Sequence, residues 1–78
     1  MNELQLKEMN QDRIVYFYQP EGKGERGEIV YVFADAQASV SKQSEDDEHG
    51  HYAHKAVRKV EECVKKNNLP MKFTQAWY

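Results

Sequence analysis

Residues 44–68 read SEDDEHGHYAHKAVRKVEECVKKNN, and this stretch decides the fold. Ala53, Ala56, Val57, Val60, Cys63 and Val64 recur at i, i+3, i+4, i+7, i+10 and i+11, which lays them on one stripe of a 3.6-residue helix. Ser44 followed three residues later by Asp47 has the form of a capping box, with Asp where Glu is usual. Acids at 45–48 load the first turn and Lys65 and Lys66 the last, so both ends suit the helix macrodipole. Asn67 and Asn68 tolerate a left-handed C-terminal conformation, and Pro70 forbids continuation. Gly50 would cost about 1 kcal/mol relative to alanine inside the helix. Either the helix begins near Gly50, or its first turn passes too close to another backbone for a side chain. The stripe consists of small residues, so the surface opposite must supply the bulk needed for close packing.

The bulk lies upstream. Residues 13–18 (RIVYFY) are β-branched and aromatic and predict a strand, closed by Pro20. A loop over 19–26 leads to an antiparallel partner, 27–34 (GEIVYVFA), which Asp35 ends. Residues 38–42 predict a short third strand. After the helix, Met71, Phe73 and Trp77 punctuate a final strand over 71–78. The expected fold is a two-layer α+β domain over 13–78, with an antiparallel sheet of three to four strands against one long helix, in the order β-β-(β)-α-β. Residues 1–12 precede it; Leu4, Leu6 and Met9 there suit a short helix, an extra edge strand or a frayed tail.

Alternation gives the first two strands two faces. Ile14, Tyr16, Tyr18, Ile29, Tyr31 and Phe33 form the bulky face, which is assigned to the helix. Val15, Phe17, Val30 and Val32 then fall on a face that one helix cannot cover. Such a face is tolerated as surface, or is hidden by residues 1–12, a second copy or a protein partner.

With 78 residues, there is room for one modest core. No apolar run reaches the roughly 20 residues of a membrane span, residues 1–11 lack the apolar centre of a signal peptide, and one cysteine forms no internal disulfide. These features point to the cytoplasm, and Cys63 reads as a packed, inert thiol. The net charge of −2 speaks against a general nucleic-acid binder, although charge can be clustered.

Candidate chemistry is sparse. Gly22, Gly24 and Gly27 spell G-x-G-x-x-G, but a strand follows where a dinucleotide site needs a helix, so a charged hairpin loop is the plainer reading. His51 and His54, at i and i+3, could share a metal with Asp47, although no fourth ligand is identifiable and the acids also serve as helix caps. Lys55, Arg58, Lys59, Lys65 and Lys66 form a basic outer face suited to phosphates, or simply a solvated face with i, i+4 pairs to Glu61 and Glu62. Acids at the start of the helix, where double-stranded-RNA-binding domains carry bases, set the chain apart from that class. No serine, histidine and acid form a catalytic arrangement, and no cofactor motif survives.

The segments GEIVY (27–31), GHYAHKA (50–56) and FTQAWY (73–78) resemble those of small uncharacterised proteins of Gram-positive bacteria and their phages. The likeness spans 13–78 and implies no activity. The expectation is therefore a non-enzymatic module acting by protein contact or self-association through Val15, Phe17, Val30 and Val32. A nucleic-acid module using the basic helix face is the alternative.

Overall fold

The computed structural model describes residues 1–77. Four strands precede the helix and one follows: β1 (Asn2–Met9), β2 (Arg13–Pro20), β3 (Gly27–Val32), β4 (Gln37–Lys42), α1 (His51–Lys65) and β5 (Lys72–Gln75). They form one antiparallel sheet in the order β4-β3-β2-β1-β5, with α1 against one face. The α+β class is as expected, but the sheet has five strands rather than three or four.

The additional strand comes from the ambiguous N-terminal residues. Leu4 and Leu6 point to the helix and Glu3 and Gln5 to the opposite side, the alternation of a half-buried strand. β1 is not an edge: it pairs with β2 on one side and β5 on the other, and Leu4 is fully buried. Asn10 Oδ1 accepts the amides of Asp12 and Arg13, an Asx turn that reverses the chain into β2.

The core matches a bulky sheet to a slender helix. Ile14, Tyr16, Tyr18, Ile29 and Tyr31 meet Ala53, Ala56 and Val60, with Val57 and Val64 at the margin. The buried phenols are satisfied: Tyr16 donates to the carbonyl of Pro70 at 2.6 Å, and Tyr18 donates to Asp47 Oδ2 at 3.0 Å. Phe73 completes the layer, its ring edge-on to Tyr16. One residue of the bulky face lies outside the core: β3 ends at Val32, so Phe33 enters the turn and is 43% exposed. The final strand is shorter than the expected 71–78: β5 begins after Met71, which is 71% exposed, and ends at Gln75, and position 78 lies outside the described residues. Gly27 stands opposite Tyr18, where a Cβ would collide with the phenol ring and approach the Lys42 carbonyl; its hydrogen makes room for the aromatic side chain.

The helix starts at His51, not at Ser44 where the capping-box pattern pointed. Gly50 is the N-cap, in the left-handed region at φ 73°, so the first of the two readings of that glycine holds. Residues 44–50 form two tight turns, with Asp47 N–H bonded to Ser44 O and Gly50 N–H to Asp47 O. The capping role still falls to Asp47, by a different geometry. Its carboxylate accepts the amides of Tyr52 and Ala53, two of the free donors of the first turn. The C-terminus follows expectation: Asn67 is left-handed (φ 53°), and the bonds Asn68 N–H to Cys63 O and Asn67 N–H to Val64 O make a Schellman motif.

Candidate interaction surfaces

The sheet face opposite α1 is covered by no other element among the described residues. Val15, Phe17, Val30 and Val32 run through its centre on the adjacent strands β2 and β3, where Val15 stands opposite Val30. They are less bare than alternation suggests. Val15 is 5% exposed, and the other three are half-buried. Long charged side chains account for part of this: Arg26 lies over the Phe17 ring at 3.8 Å from its centroid, with Lys7 at 5.3 Å. Lys7 also pairs with Glu28 at 3.0 Å, and Arg13 with Glu8 at 2.9 Å. Residues 1–12 do not fold over this face; β1 extends it, adding Glu3, Gln5, Lys7 and Glu8. The result is an apolar strip within a border carrying both signs of charge.

The basic helix face divides in two. Lys55, Arg58 and Lys59 share a groove of about 250 Å³ with His54, Gln75 and Trp77, between α1 and β5. Lys65 instead lies on the β4 side of the helix, beside Tyr31, Ala36, Glu61 and Val64. Lys66 sits at the C-cap, bound to Glu62 at 3.0 Å. Glu62 also meets Lys59 at 3.4 Å, and Lys66 followed by Lys59 hold its carboxyl below the usual range. Trp77 and Gln75 are the parts of this groove that periodicity missed. Gln75 Nε2 donates to the Lys55 carbonyl and its Oε1 accepts from Asn2, which ties β5 to α1. The Lys55 ammonium lies over the Trp77 ring at 4.9 Å, and Tyr52 stands at a tilt beside it at 5.6 Å.

The proposed metal set does not assemble. Asp47 is 2% exposed and turned inward, where its carboxylate accepts from Tyr18 and two helix amides. His51 and His54 face solvent. Among the described residues no three His, Cys, Asp or Glu side chains come together as metal ligands would. The glycine loop carries no phosphate cradle either. The amide of Glu25 is taken by Asp46 at 2.6 Å, and the adjoining cleft of about 360 Å³ is lined by Glu21 and Asp46 together with Lys23 and Tyr52. Two carboxylates would repel an anion there. Cys63 is buried, and burial pushes its thiol above the ordinary value, away from the reactive thiolate.

No helix among the described residues is long and apolar enough to cross a membrane. No protein-family model, curated protein or solved structure matches the chain.

Proposed function

We propose that this protein is a small non-enzymatic interaction module that self-associates through its open sheet face. The observation that carries the reading is that face itself: an apolar strip of Phe17, Val30 and Val32 around Val15, uncovered by any element among the described residues and bordered by ion pairs. An apolar centre inside a polar rim is the anatomy of a protein interface.

Charge and size both favour a second copy as the occupant. The border holds Lys7, Arg13 and Arg26 together with Glu3, Glu8 and Glu28, so a two-fold axis can set opposite charges against one another, whereas a face of one sign would repel its own copy. Size agrees. Five strands spaced by about 4.8 Å, four of them roughly 20–27 Å long and β5 about 14 Å, give a face of about 500 Å². Two such faces would bury about 1,000 Å², the size of a weak, transient interface. Arg26 and Lys7 must swing off Phe17 to admit the partner, so the dimer is expected to be weak, with dissociation in the micromolar range or above.

Amide spectra recorded at rising protein concentration test this. Shifts should concentrate on the open-face positions of β1, β2 and β3 and spare α1. Val30→Glu should abolish them while leaving the fold intact, since Val30 is half-buried. Val15→Glu is unsuited to the purpose, because Val15 is covered in the single chain and a buried charge there would unfold it. Spectra that do not change with concentration would refute self-association.

A further inference from the structure

The groove between α1 and β5 lies on the helix side of the molecule, remote from the open sheet face, and is independent of the self-association proposed above. Lys55, Arg58 and Lys59 are at i, i+3 and i+4, so their charged ends emerge along one stripe beside Trp77. Neither Lys55 nor Arg58 has a carboxylate partner among the described residues, unlike Lys7, Arg13, Lys59 and Lys66. Two cations without a carboxylate partner among the described residues stand next to an indole and the fixed amide of Gln75. Glu62, the carboxylate in the groove, is taken by Lys59 and Lys66, so the site combines positive charge with one flat apolar surface. Phosphate with a planar ring attached is the ligand chemistry that satisfies both.

We propose that this groove binds single-stranded nucleic acid, with a base stacked on Trp77 and the flanking phosphates held by Lys55, Arg58 and Lys59. The ammonium of Lys55 now occupies the ring face that a base would take. On binding it gives up the indole and moves to a phosphate, so the same lysine that shields the tryptophan becomes part of the phosphate contact. Glu62 works against the site, since its carboxylate neutralises Lys59 at the groove edge. Duplex does not fit the arrangement, because its bases are stacked on one another and unavailable to the indole.

The chain contains a single tryptophan, so indole fluorescence reports directly on the groove. A thymidine oligonucleotide of about twelve residues, within the usual footprint of such sites, is titrated into the full chain at low salt. Saturable quenching is expected, with affinity falling as salt rises along a log–log slope of about −2, as three phosphate contacts on a single strand require. Arg58→Ala should weaken binding about five- to tenfold. Trp77→Leu, followed by anisotropy of a labelled oligonucleotide, should weaken it about tenfold or more. Glu62→Gln should tighten it several-fold, a gain that a merely structural role for Glu62 would not produce. Inorganic polyphosphate should compete poorly. An absence of quenching at low salt would overturn the proposal, as would binding unchanged by Trp77→Leu. Equal competition by polyphosphate would leave a plain anion site and overturn the stacking.

Discussion

Asp47 shows how much one side chain can hold together. It accepts two amides of α1 and the Tyr18 hydroxyl, while Tyr18 in turn accepts the amide of Ser44. One carboxylate thus joins the helix start, the loop before it and the centre of the sheet. Removing it leaves two helix amides and the Tyr18 O–H without an acceptor. Asp47→Ala is therefore expected to cost about 2–3 kcal/mol in urea unfolding, more than an ordinary cap; a loss below about 0.5 kcal/mol would contradict this role. Asp47→Asn keeps one acceptor oxygen and should cost less. The buried tyrosines make a second, pH-dependent test. Burial first, then the charge on Cys63, raises Tyr16 to about 12, and burial likewise raises Tyr18 to about 12, aided by its bond to Asp47 and partly offset by the Ser44 amide. Both phenols are neutral in the fold, so their contribution is complete below the ordinary tyrosine value of about 10 and is lost as pH rises from there through about 12. Tyrosinate absorbance should show these two lagging behind an exposed phenol, and the urea midpoint should fall across that interval and stay unaffected by these groups below it.

At the scale of elements, the helix and the two central strands could be read from periodicity, because each must bury one side in a continuous core. Ala53, Ala56 and Val60 do meet Tyr16 and Tyr31 as the small-against-large argument requires. β1 was harder to read for a physical reason. A strand with one open face needs apolar residues only at alternate positions, and a bulge between Leu6 and Glu8 shifts the phase, so Lys7 and Glu8 both fall on the open side and Met9 drops out of the pattern. The signal that could have recovered it was Asn10 just before the next strand, an Asx-turn former between two alternating runs. The cluster of acids around Ser44 resembles a capping box and points too far upstream, whereas Asp47 caps amides five and six residues ahead across intervening turns; Gly50 was the residue that marked the true start. The groove was only half legible: Lys55, Arg58 and Lys59 follow from helical spacing, but their meeting with Trp77 depends on where β5 docks. The fit between layers predicts that Ala56→Leu will overpack the interface. Ala56 is fully buried, so the larger side chain should cost about 1–3 kcal/mol in denaturant unfolding. A neutral or stabilising result would mean that the layers are less tightly fitted than described.

For the whole molecule, one helix on a five-stranded sheet leaves the second sheet face without a covering layer among the described residues. Domains with this arrangement either cover the second sheet face with polar side chains or use it. Here both occur: long charged chains screen Phe17, while Val30 and Val32 stay partly open. The edges are guarded in their own way, since Glu61 reaches from the helix to accept the amide of Ala38 on β4 and so removes one free donor from that edge. Association is accordingly expected through the face and not by strand addition, and Glu61→Ala should leave it unchanged. The most direct measurement is sedimentation equilibrium of the full chain from micromolar to millimolar concentration. With self-association, the apparent mass starts near 9.2 kDa and rises toward twice that value. A mass that stays at 9.2 kDa throughout would contradict it.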